Sequence, residues 1–259
     1  MPPPAEVKLG PLTRTVLDGA VWRDESKYPA FQVWADEAER LFAFLEAQGV
    51  FKRFLPRLRA REREKTAALA EARAGFFFHR NGFRILRWEP EEVPGHPGDL
   101  DLQWQESEPI FVEVKGPDWE GELTEAERRA GRKDLPKYIN AEARAIAPQD
   151  RVLYAITKAL PKLAERRANL VVVVDDLFVS PVELPKEYLT AVLATALADP
   201  ACRFLGGVFL LSPVTYGGFV EYRKYFVPNV DAAHPLPDVV RQGLAAGNSD
   251  PQGPRWLRE

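Results

Sequence analysis

Two short stretches, GDLDLQW beginning at Gly98 and PIFVEVK beginning at Pro109, carry acids and a lysine at a spacing that could do chemistry. Side chains alternate along a strand, so Phe111, Glu113 and Lys115 share one face while Ile110, Val112 and Val114 take the other. The same rule sets Asp99, Asp101 and Gln103 opposite Leu100, Leu102 and Trp104. The polar segment 105–109, with its serine and proline, suits a reversing loop. A loop centred on Ser107 puts Asp101 directly across from Glu113, about 5 Å away at Cα on adjacent antiparallel strands at a sheet edge. Two carboxylates that close repel each other unless a cation sits between them.

The remaining pattern describes the elements that must hold this hairpin. Residues Phe31, Trp34, Ala38, Leu41 and Leu45 recur at helical spacing between Ala30 and Gln48, and Gly49 ends that helix. A second helix is expected from Pro56 to Phe78, closed by Asn81-Gly82 before FRILRW, a strand. Beyond Lys115 the charged segment 117–136 reads as a loop with a short helix near Thr124 to Arg132. A helical pattern from Lys137 to Arg167, kinked at Pro148, has Val152, Ile156, Leu160 and Leu163 on its apolar face. It leads to NLVVVVDD, an apolar run suited to a central strand covered on both faces and parallel to an earlier one. Asp175 and Asp176 end that run, where caps and turns are common as well as ligands. A helix over Lys186 to Ala198 and strands in FLGGVFLL and GFVEYRKYFV complete the reading. A short strand near Thr13 to Leu17 is expected in the lead-in, and an aperiodic tail from Pro228, docked by Trp256 and Leu257, at the other end. The expected organisation is a lead-in and helix over 1–55, an α/β domain over 56–227 and a tail over 228–259.

Composition limits the function classes. With 259 residues, 46% of them hydrophobic, the chain can bury a sizeable core. Its longest strongly apolar run, Leu170 to Val174, is too short to cross a bilayer, and the segment MPPPAEVKLG lacks a secretory pattern, so a cytoplasmic protein is expected. A single cysteine, Cys202, excludes an intrachain disulfide and a thiolate metal centre. His79, His96 and His234 show no metal-ligand spacing, and neither a serine-hydrolase elbow nor a phosphate-cradling P-loop occurs. The net charge is −3, yet between Phe51 and Trp88 eleven basic residues face three acids. That excess suits either phosphates or a solvated helix face.

The order helix, three strands, helix, strand, with GDLDL on the second strand and VEVK on the third, resembles the PD-(D/E)xK nuclease superfamily and its restriction-endonuclease-like fold. The likeness spans residues 60 to 176 by element order and is motif-specific over 98 to 116. It implies a mixed β-sheet flanked by helices, an αβββαβ core with an N-terminal helical extension. It also implies that Glu71, on the helix leading into the first strand, binds a second ion or orients water. Asp99 and Asp101 compete for the first acid, because Gly98 separates Pro97 from Asp99; Asp99 reads more simply as a turn residue.

The chemistry of such a site is phosphodiester hydrolysis assisted by a hard divalent cation, Mg2+ or Mn2+. Asp101 is expected to be the bridging ligand, Glu113 the second, and the main-chain carbonyl of Val114 the third. Lys115 would position or help deprotonate the attacking water and offset phosphate charge. The partner is nucleic acid, DNA by expectation, with no membrane. Two other readings stand beside the nuclease. One is a catalytically silent binding module on the same fold. The other is a nucleotide-sugar transferase using Asp99 and Asp101 as a D-x-D pair.

Overall fold

The computed structural model describes residues 7–17, 31–60, 63–92, 94–95, 97–117, 147–175, 180–216 and 218–246. Helices α1 (Pro11–Leu17), α2 (Phe31–Ala47), α3 (Phe51–Arg59) and α4 (Arg63–Arg80) precede strands β1 (Phe83–Trp88), β2 (Leu100–Trp104) and β3 (Ile110–Lys115). Helix α5 (Pro148–Ala159), extended by a 3-10 turn over Leu160–Lys162, leads to β4 (Asn169–Val174). Then come α6 (Lys186–Leu197), β5 (Gly207–Tyr216), β6 (Phe219–Pro228) and α7 (Asp238–Ala245). The six strands form one mixed sheet in the order β1 to β6. Neighbours are antiparallel except β3–β4 and β4–β5, which are parallel. The αβββαβ order read from the sequence is therefore present in α4 through β4.

Alternation sorts the core into two layers. Ile110, Val112 and Val114 of β3, with Leu170, Val172 and Val174 of β4, pack on Ala70, Ala74, Phe77 and Phe78 of α4. Val171 and Val173 face the other way, against Val152, Ala155, Ile156 and Ala159 of α5 and Leu189 and Leu193 of α6. Every residue of β4 is buried, as its continuous apolar run requires. The N-terminal helices form a third cluster around Phe42, Leu45, Phe54 and Leu58. They are tied to the sheet by a buried network in which Arg73 of α4 donates to Glu37 of α2 at 3.1 and 2.9 Å. The hydroxyl of Tyr222 on β6 donates to the same carboxylate.

Four local expectations are corrected. The segment Thr13 to Leu17 lies in α1 rather than in a strand. Pro11 opens that helix, and the Glu39 carboxylate of α2 accepts the free amides of Leu12 and Thr13 at 3.2 and 2.8 Å. The single helix expected over Pro56 to Phe78 is two, because Ala60 is extended, with φ −66° and ψ 174°, and ends α3. Pro148 starts α5 instead of kinking it, which suits a residue without an amide hydrogen at the first helical position. The tail forms α7, whose Val240 and Leu244 lie one turn apart in the sheet core. The short helix expected near Thr124 to Arg132, the region of Lys137, Asp176, His96, and the pair Trp256 and Leu257 lie outside the described residues.

Candidate active site

The turn between β2 and β3 closes one residue earlier than the composition of 105–109 suggests. The Ser107 amide donates to the Trp104 carbonyl at 3.0 Å, and Gln105 takes a left-handed conformation with φ 51°. The pairs are therefore Leu100 with Val112 and Asp101 with Phe111, and the next step along the ladder sets Asp99 beside Glu113. The expected pairing of Asp101 with Glu113 is corrected by two residues. Because two residues is one full strand period, all these acids keep the same face. The pair also sits at the ends of interior strands, not on an edge strand.

That shift gives the two aspartates different surroundings. Asp101 is 1% exposed. One of its oxygens accepts from Arg87 Nε at 2.7 Å. The other lies 2.8 Å from Arg167 Nη2, though not in hydrogen-bond alignment. Glu92 joins the same two arginines, at 2.8 and 2.6 Å, and they hold its carboxyl below the usual glutamate range against the upward pull of its own partial burial. Asp101 is thereby engaged by this cluster on both of its oxygens.

Asp99 lines a cavity of about 470 Å³ where the α4 and α5 layers meet at the carboxyl end of β3. Its neighbours in the wall include Glu71 of α4, Glu113 and Lys115 of β3, Arg57 of α3, and Arg151, Tyr154, Lys158 and Lys162 along α5 and its 3-10 extension. Two glycines permit this approach. A Cβ on Gly98 would collide with the Phe111 ring, and one on Gly116 would sit 2.9 Å from the Ala70 Cβ and 3.1 Å from the Thr66 carbonyl.

Each acid in the cavity is held differently. The Val114 amide donates to Asp99 Oδ2 at 2.6 Å. Burial pushes the Asp99 carboxyl well above the ordinary aspartate value, and the charges of Glu71 and Glu113 push it further, against the Val114 hydrogen bond and Lys115. Glu113 is completely buried. Its Oε1 meets Lys115 Nζ and, at 2.9 Å, Lys162 Nζ. Its Oε2 has no hydrogen-bond partner among the described residues. Burial lowers the Lys162 ammonium, but the attraction of Glu113, with smaller help from Asp99 and Glu71, leaves it raised. Glu71 is also raised, by burial first, although Arg57 grips both of its oxygens, one of them at 2.7 Å.

Four of the five candidate residues named from the sequence thus meet here: Glu71, Glu113, Lys115 and the main chain of Val114. Asp101 does not. Arg57, Lys158 and Lys162 escaped the sequence reading. For Lys158 and Lys162 the signal was a second, polar stripe on α5, in which Arg151, Tyr154, Lys158 and Lys162 follow one another at three- and four-residue spacing beside the apolar one. Asp175 pairs with Arg151 at 2.9 Å. His79 is exposed beside the Phe44 ring, 5.3 Å away, and His234 is exposed too. Of the eleven basic residues of 51–88, Arg53 is engaged internally by Glu89, Arg57 by Glu71, Arg73 by Glu37, and Arg87 by Glu92 and Asp101.

The donor set suits a hard divalent cation: Glu113 Oε2 is buried and without a hydrogen-bond partner among the described residues, and the Asp99 carboxyl, raised by burial and by Glu71 and Glu113, would ionise more readily beside a cation. Among the described residues no three His, Cys, Asp or Glu side chains form a joint coordination group. A third donor is available from the main chain. The carbonyl of a strand residue points the same way as its amide, so the Val114 carbonyl turns toward the side of β3 on which Asp99 sits.

No protein-family model matches the chain, and no curated protein matches it. Among solved structures, that of Pyrococcus furiosus SfsA in complex with Ca2+ is similar, with 16% identity and a TM-score of 0.28. The alignment covers 62% of this chain and 62% of that one, less than two thirds of its length. A likeness this low fixes neither topology nor chemistry. No helix among the described residues is long and apolar enough to cross a membrane.

Proposed function

We propose that the chain is a PD-(D/E)xK-type phosphodiesterase that depends on a divalent cation, Mg2+ or Mn2+, and hydrolyses nucleic acid, DNA before RNA. Asp99, in place of Asp101, and Glu113 would hold the cation together with the Val114 carbonyl. The observation that carries the reading is the meeting of Asp99 and Glu113, one raised by burial and two neighbouring acids and the other with an oxygen unpartnered among the described residues, in a cavity whose remaining wall is rich in lysine.

Bound there, a divalent cation would polarise the phosphate and acidify a water. The protein's own groups do the rest. Lys115, now paired with Glu113, lies in the cavity wall where it can hold a phosphate oxygen or orient the attacking water once that carboxylate is engaged elsewhere. Lys158 and Lys162 offer charge to flanking phosphates. Burial of Asp99 and Glu113 removes competing water and strengthens each of these interactions.

One observation favours a second reading, a nucleic-acid-binding module without catalysis: two lysines already neutralise Glu113. The test is cleavage of supercoiled, linear, single-stranded and branched DNA, and of RNA, with Mg2+, Mn2+ or EDTA. Cation-dependent cleavage by the wild type, lost in Asp99→Asn and Lys115→Met, supports the nuclease. Binding without cleavage under every condition leaves the module.

A further inference from the structure

Among the described residues three acids line the cavity, yet they are not equivalent. Glu71 alone has both carboxylate oxygens taken by one guanidinium, that of Arg57, in a two-pronged pair. Arg57 is itself fixed from other sides. It lies over the Phe54 ring, with its guanidinium carbon 5.6 Å from the ring centre, and its Nη1 is 3.8 Å from Glu89. Its positive charge thus stands inside the acid cluster, within the fields of both Glu71 and Asp99.

Resting on the reading above, we propose that the site takes a single divalent cation, because Arg57 permanently occupies the position at Glu71 where a second would bind. A second cation would need Glu71 oxygens that are not available and would sit against a fixed positive charge. Among the described residues Asp99 and the Glu113 Oε2 oxygen carry no such partner, so the first cation goes there. Arg57 is accordingly a positioning residue that sets how many cations the site holds, and Glu71 is its counterion, not a ligand.

The experiment is Mn2+ titration of the full chain by calorimetry, with free Mn2+ followed by electron paramagnetic resonance. Four proteins are compared: wild type, Asp99→Asn, Arg57→Gln and the double variant Arg57→Gln/Glu71→Gln. Wild type should bind one Mn2+ and Asp99→Asn none. Arg57→Gln frees Glu71 and should bind two. The double variant should return to one, with affinity within about threefold of wild type, a difference of under 1 kcal/mol. Two Mn2+ on wild type falling to one in the double variant would make Glu71 a ligand and overturn the proposal, as would a single Mn2+ on a folded Arg57→Gln. Arg57→Gln leaves Glu71 buried without its partner, and if it does not fold, wild type against the double variant still decides. Absence of any Mn2+ on wild type, or undiminished binding by Asp99→Asn, would overturn the cation-dependent reading and this inference with it.

Discussion

Asp99 and Asp101 stand two residues apart on one face, about 7 Å along the strand, yet one belongs to a closed cluster and the other to an open cavity. Around Asp101, two arginines answer two acids, and the aspartate is sealed. Around Asp99, burial and the like charges of Glu71 and Glu113 outweigh the Val114 amide and Lys115, and the carboxyl is driven up. The contrast separates two uses of a buried acid. A paired carboxylate fixes structure, here β1 to β2 and to the turn before β4. A carboxylate left in excess stores electrostatic energy that a cation can release.

The sharpest way to break this comparison is to neutralise the two aspartates in parallel. Asp99→Asn should lower cation-dependent cleavage by on the order of 100-fold or more, with a melting temperature equal to or above that of wild type, since it removes a desolvated charge. Asp101→Asn should instead cost about 2 kcal/mol of stability, read by denaturant unfolding; the cost is moderate because Arg87 is exposed and can hydrate when its partner is lost. If the two variants exchange these phenotypes, the comparison is reversed and Asp101 returns to the site.

A smaller effect is expected at Lys162. Lys162→Met should weaken DNA binding about tenfold or less, as measured by fluorescence anisotropy, and flatten its dependence on salt by about one counterion. An unchanged salt slope would show that Lys162 serves only Glu113.

The smallest effect is on stability against pH. Asp99 and Glu71 both have raised carboxyls in the folded chain. Above the ordinary carboxylate range near pH 4, the native state holds protons that the unfolded chain has lost, so stability falls as pH rises toward the raised values. Their contribution is largest below that range. Thermal melts in EDTA should show this decline, and it should be absent from a variant carrying Asp99→Asn and Glu71→Gln together. Ca2+ binds the ionised form, so its stabilisation should be greater at pH 7.5 than at pH 5. Equal Ca2+ shifts at both pH values would place the cation somewhere other than these acids.

Several features were determined by sequence alone. Alternation in LDLQW and IFVEVK settles which residues share a face, and the period of 2 survives any even shift of register. The apolar run NLVVVV requires cover on both faces and therefore a central strand; its parallel pairing with the earlier strand β3 follows from the helical crossover. These are local or near-local properties, encoded in periodicity. The choice between Asp99 and Asp101 is not, because it depends on where the 104–107 turn closes, and one left-handed residue, Gln105, moves the register by a pair. Sequence equally could not assign Arg57 to Glu71 or Lys162 to Glu113. Those partners lie 14 and 49 positions apart and meet only because α3 breaks at Ala60 and α5 packs back over β3. Charge pairing at such separations is decided by tertiary packing, since an exposed acid or base in the extended chain carries no mark of the partner that will desolvate it.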